Sequence, residues 1–114
     1  MFNLGLYYLQ GRGLPKSRRL SFRWFVKAAT AGDPDAQFEV GYCLHEGEGV
    51  RRNSRASVAW YQRAARQGHA DAHFNLHLCF KHGDGVRQDA RRAGYHLRRA
   101  GALGSARAKQ EIAG

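Results

Sequence analysis

His69, His73 and His77 stand four residues apart, so on a helix all three fall along one face. Two imidazoles at that spacing can hold a divalent metal. No glutamate completes an H-E-x-x-H pattern, however. His69 falls near a helix start, and His77 takes a slot that is glycine elsewhere in the chain at the same spacing. His77 therefore reads as packed inside, and no metal or cofactor is expected. Cys43 and Cys79 are the only cysteines and lie 36 residues apart. Equivalent atoms of stacked helical hairpins sit roughly 9–10 Å apart, beyond the ~7 Å Cα reach of a disulfide. Both are expected as free, packed thiols. Nucleophilic and phosphate-cradling signatures such as G-x-S-x-G and G-x-x-x-x-G-K are absent. The Gly-x-Gly pairs at Gly11/Gly13, Gly47/Gly49 and Gly83/Gly85 follow helical stretches, not strands, which makes them turns. The chain reads as a non-enzyme.

The elements that position these residues come from a repeat. Gln37-Phe38-Glu39-Val40-Gly41, Gly47-Glu48-Gly49-Val50, Asn53, Trp60-Tyr61-Gln62-Arg63-Ala64-Ala65 and Gly68 recur 36 residues earlier and 36 residues later, without insertion or deletion. A fixed period in the range of about 20–50 residues marks a solenoid, in which each unit buries its apolar face only against its neighbours. Within a unit, Val40, Gly41 and Leu44 give one apolar helix face, which ends at Gly47-x-Gly49. A second helix starts at the N-cap Asn53, with Ser17 and Asp89 in register, and carries a stripe of Val58, Tyr61, Ala64 and Ala65. Gly68 closes it, as Gly32 and Gly104 do in their units. Asp33-Pro34 then caps and opens the next helix.

The pattern A-x-F-x-L-G-x-x-Y-x-x-G-x-G-V-x-x-D/N-x-x-x-A-x-x-W-Y-x-x-A-A-x-x-G resembles the Sel1-like repeat, a relative of the tetratricopeptide repeat. The resemblance spans one solenoid domain, 1–114, as units 1–36, 37–72 and 73–108, with 109–114 belonging to a partial fourth. It implies an all-α, right-handed α-solenoid of stacked helical hairpins, about seven helices in all. The third unit departs most: His77 replaces glycine, His96 tryptophan and Gly101 alanine. We expect His77 to be packed inside because Ala93-Gly94 opposes it, where other units carry Ser21-Phe22 and Ser57-Val58. On that reading Gly94→Val would overpack the unit. Secreted cysteine-rich relatives carry a disulfide in each hairpin and are reported to bind β-lactams; the cysteine pattern here weakens that reading.

Composition agrees with a packed array. The chain has 114 residues, 43% of them hydrophobic, with only two prolines. No apolar run approaches the ~18–20 residues of a membrane span, and Met1–Gln10 lacks the basic region of a signal peptide. A cytoplasmic location is expected. Met1 opens inside a first helix, which fits a piece of a longer array and leaves an open end for self-association. The net charge of +10 is concentrated before and along the second helices, in Arg51, Arg52, Arg55, Arg91, Arg92, Arg98 and Arg99 among others. Such a ridge could attract nucleic acid, anionic lipid or acidic protein. The arginines are not interleaved with exposed aromatics in the sequence and no nucleic-acid motif accompanies them, so a polyanion is the second reading.

The first reading is recognition of another protein or peptide. By similarity to tetratricopeptide units, the first helix of each hairpin lines the concave side. Its exposed positions are Asp35, Phe38, Tyr42, His45 and Glu46 in the middle unit and Asp71, Phe74, Leu78, Lys81 and His82 in the third. In the first unit they are Phe2, Leu6, Leu9 and Gln10. The phenylalanines favour packing between hairpins. Tyr42, His45, Glu46, Leu78, Lys81 and His82 are the stronger contact candidates.

Overall fold

Caps and glycines set the helix boundaries. The computed structural model describes residues 18–114. The expected first helix, the Ser17 cap and the candidates Phe2, Leu6, Leu9 and Gln10 lie outside the described residues. Within them run α1 (Arg18–Thr30), α2 (Pro34–Glu46), α3 (Ser54–Arg66), α4 (Ala70–His82), α5 (Ala90–Ala102) and α6 (Ala106–Ala113), with no strand. Asn53 Oδ1 accepts from the Ala56 N–H at 3.0 Å and Asp89 Oδ1 from the Arg92 N–H at 3.1 Å, starting α3 and α5. Asp33 accepts from Asp35 and Ala36 ahead of Pro34, whose missing N–H has no helical partner to lose. At the same place in the next unit, His69 accepts the Ala72 N–H on Nδ1 at 3.1 Å. The loops repeat as well: the Asn53 N–H reaches the Leu44 carbonyl at 2.8 Å, and the Asp89 N–H reaches the Phe80 carbonyl at 2.9 Å.

Each helix packs chiefly on its sequence neighbours, as quasi-one-dimensional stacking requires. The core lies at the seams. Phe25, Ala28 and Ala29 of α1 meet Val40 and Leu44 of α2. Val58, Tyr61 and Ala64 of α3 meet Leu76 and Phe80 of α4. Phe74, Ala100 and Ala108 tie α4, α5 and α6 together.

Two glycines show why the pattern tolerates so little change. A Cβ on Gly41 would stand 2.7 Å from the Tyr61 ring, so α2 and α3 can cross only where α2 has no side chain. Gly85 combines φ +77° with a Cβ position 2.3 Å from the Ser54 carbonyl oxygen. The loop of one unit thus lies against the start of the preceding unit's second helix.

His77 replaces glycine at the Gly41 position and is buried. As expected, it faces Ala93-Gly94, bonding the Ala93 carbonyl and bordering one cleft with Gly94. The overpacking expected of Gly94→Val has no support at the Cβ, which would meet only the Arg98 guanidinium, at 3.3 Å. Relief comes one turn later. Leu97 stands where α3 has Tyr61, so the ring that presses on Gly41 has no counterpart in the third unit. The helix-to-helix hydrogen bond also reverses direction. In the middle unit Ser57 Oγ of the second helix donates to the Gly41 carbonyl at 2.6 Å. In the third, His77 Nδ1 of the first helix donates to the Ala93 carbonyl at 3.0 Å.

Candidate functional site

On the first-helix face, Asp35, Glu39, Tyr42 and Glu46 recur at three- and four-residue steps and so share one stripe of α2. Beside that stripe α4 presents Leu78 and His82. Tyr42, His45, Glu46, Leu78 and His82 line a single open cleft of about 290 Å³. Tyr42 is 39% exposed, large for an aromatic side chain in a folded array. Its phenol is pushed above the ordinary value, first by partial burial and then by Glu48, Glu46 and Glu39. Glu39 is raised too, by burial and by Asp35 and Glu48. The stripe is therefore a negative wall, with no lysine or arginine on α2.

His45 is tied to its neighbours at the edge of that cleft, and the remaining sequence-derived candidates take other positions. His45 Nε2 meets Asp84 Oδ2 at 2.6 Å and Nδ1 meets Glu46 at 3.2 Å, so His45 latches the middle unit to the loop of the third. That bond is the main cause holding the Asp84 carboxyl below its usual range. Lys81 turns toward Glu111 at 3.9 Å and borders a second cleft beside His77, away from Tyr42. Asp35 pairs with His69 Nε2 at 3.1 Å, and Asp71 is exposed. Phe38 stacks on His69 with centroids 4.8 Å apart. Phe74 is buried under the Arg107 guanidinium, 4.5 Å from its ring centroid. Both phenylalanines serve packing.

Five lining residues were missed from sequence, Cys79 and Asp84 among them. Tyr61 and Asn75 border the cleft from α3 and α4. Arg107 closes its far end. Arg107 is the fourth unit's counterpart of Asp35 and Asp71, so carrying the repeat register one unit further would have found it.

The three spaced histidines do not converge. His69 caps α4, His77 binds the Ala93 carbonyl, and His73 Nδ1 meets His96 Nδ1 at 2.9 Å. No group of three or more potential metal ligands occurs among the described residues. Burial pushes the Cys43 thiol up to about 12 and the Cys79 thiol up to about 11, and both cysteines are free. They are poor nucleophiles.

The opposite layer, formed by α1, α3 and α5, carries four, three and four basic residues respectively and no carboxylate. Aromatics do accompany its cations, contrary to the sequence reading. Lys27 lies over Trp24 at 4.6 Å and Arg63 over Trp60 at 4.5 Å, while Tyr95 is 50% exposed. No described helix is long and apolar enough to cross a membrane.

A family model described as Sel1 repeat matches residues 1–33, 34–69 and 70–105. No curated protein matches the chain. Among solved structures, a Sel1 repeat protein from Oxalobacter formigenes is 32% identical with a TM-score of 0.93, over 97% of this chain and 46% of that one. A protective antigen of uropathogenic Escherichia coli strains displaying an SLR fold is also 32% identical, with a TM-score of 0.93, over 97% of this chain and 24% of that one. The chain thus spans less than half the length of either. Helicobacter pylori cysteine rich protein B shares the fold, at 21% identity and a TM-score of 0.78 over 82% of this chain and 71% of that one.

Proposed function

The chain belongs to the Sel1 repeat family, and from that premise we propose that it is an adaptor which holds a segment of another protein in the cleft between Tyr42 and Leu78. Sel1 repeat proteins generally act as protein-interaction scaffolds. The observation that supports the finer reading is that Tyr42, Glu46, Leu78 and His82, from neighbouring first helices, border one open cleft. An apolar centre with a polar rim is the composition of a binding hot spot. Asn75 and Arg107 would orient the segment's polar groups. Two free, buried thiols suit a reducing compartment, in keeping with a cytoplasmic adaptor.

The test is affinity capture with mass spectrometry, comparing wild type with Tyr42→Ala/Leu78→Ala. Truncating such anchors costs about 2 kcal/mol or more each. The double variant should lose the captured partner while keeping its helical content and melting behaviour. Charge reversal at Arg91, Arg92, Arg98 and Arg99 should leave capture unchanged. The opposite pair of results would favour the second reading, electrostatic binding of nucleic acid or another polyanion by the carboxylate-free layer. Such binding would also weaken steeply with added salt.

A further inference from the structure

The repeat supplies an internal control for every seam. At the seam of α1, α2 and α3 the register offers Val26, Thr30, Gln37, Ala59 and Trp60; Val26 and Trp60 pack against the core there, with Arg63 laid over the indole. Thirty-six residues on, between α3 and α5, the same five positions are Gln62, Arg66, His73, Tyr95 and His96, and Arg99 replaces Arg63. All five changes bring in side chains that can donate hydrogen bonds, four of them where an apolar or small residue or a hydroxyl stood and one, Gln37 to His73, in place of an amide. The loss of the indole opens the seam, and these six residues border a cleft of about 320 Å³.

The donors in that cleft have no anionic partner. Neither Arg66 nor Arg99 pairs with a carboxylate among the described residues, and α3 and α5 carry none to offer. Two guanidiniums, an amide and a phenol converge from two helices beside the His73–His96 pair, whose Nδ1 atoms are engaged with each other. They match an acceptor with several oxygens facing different directions, and guanidiniums suit phosphate with paired N–H groups. The two histidines alone fall short of the ligand number of a zinc site.

We propose that the seam between α3 and α5 is a binding site for a small phosphate-bearing anion, held by Arg66 and Arg99 with Gln62 and Tyr95, beside the His73–His96 pair. This site is independent of the Tyr42–Leu78 cleft, which lies on the other helix layer.

Inorganic phosphate is the probe, titrated into the whole chain at constant pH and matched against sodium chloride of equal ionic strength. Saturable one-to-one binding is expected. The ring resonances of His73 and His96 should move, while those of His45 and His82 on the first-helix face stay in place. Arg66→Gln/Arg99→Gln should weaken binding at least tenfold. Arg91→Gln/Arg98→Gln, an equal change of charge on exposed residues, should leave it within a factor of about two. His96→Trp restores the residue that fills the other seam and should abolish binding with the net charge intact. Glycerol phosphate and vesicles containing phosphatidic acid identify the source of the phosphate group. Vesicle recruitment that needs both arginines supports a lipid headgroup; glycerol phosphate binding without recruitment supports a soluble ester. A non-saturating response, equal losses in the two arginine pairs, or no binding by folded wild type would overturn the proposal.

Discussion

At the residue scale the third unit solves the glycine problem with a different set of atoms. Ser57 and Gly41 close one hairpin, whereas His77 and Ala93 close the next with donor and acceptor exchanged between helices. Sequence reading located the buried histidine and the Ala93-Gly94 surface it faces, but not the ring missing at Leu97. Alignment by number shows which residues are equivalent; it does not show that the Tyr61 side chain folds back one turn to reach Gly41. The neighbouring His96 has a consequence for stability. Its imidazole is pushed down to about 4, chiefly by burial and then by His73, His77 and Arg92. His73 is lowered as well, again chiefly by burial. Between pH 6.5 and about 4 the unfolded chain therefore binds more protons than the folded one. The contribution of neutral His96 is complete above pH 6.5 and disappears as pH falls toward 4. We predict that thermal midpoints of wild type fall more steeply than those of His96→Trp across that window, measured by circular dichroism. Parallel curves would show that His96 does not contribute to the acid sensitivity.

At the element scale nearly every helix boundary was legible, because caps and closing glycines are local chemistry. Asn53, Asp89 and the Asp33-Pro34 pair were read directly; His69 was read only as near a start, since histidine is a rare cap. The clefts were less legible, because their walls come from residues about 30 positions apart whose convergence depends on the seam. Glycine at the seam offers a clean comparison. Gly85 and Gly104 both hold positive φ, at +77° and +99°, but a Cβ at Gly85 would strike the Ser54 carbonyl at 2.3 Å, while one at Gly104 would meet nothing within 4 Å. Gly104→Ala should cost about 1 kcal/mol, the conformational term alone. Gly85→Ala should cost about 2–4 kcal/mol, because overpacking against rigid backbone is added. Chemical denaturation with urea measures both. Equal losses would mean that the loop can retreat from α3 and that the seam does not depend on this contact.

At the scale of the whole molecule the two helix layers are electrostatically unlike. Sequence gave the excess of positive charge and its tilt toward second helices, but not how completely the layers separate. The second-helix layer holds eleven exposed lysines and arginines on α1, α3 and α5 with no carboxylate, and α2 holds three carboxylates with no lysine or arginine. Like charges on adjacent parallel helices repel over distances comparable to the ~10 Å Debye length at 0.1 M salt. Opposing this are a few cross-seam ion pairs, Arg18–Glu48 at 3.4 Å, Arg52–Asp84 at 3.8 Å and Lys81–Glu111 at 3.9 Å, which are solvent-accessible and individually weak. Repulsion should win. Raising sodium chloride from low concentration to about 0.5 M should therefore stabilise the array by roughly 1 kcal/mol, a rise in Tm of about 4–8 °C for a chain of this size. Arg91→Gln/Arg98→Gln removes two of the repelling charges without touching the phosphate cleft, so it should raise Tm at low salt and flatten the increase. A Tm that falls with salt would instead mean that the seam ion pairs hold the units together, and that the separation of charge between layers is tolerated at little cost.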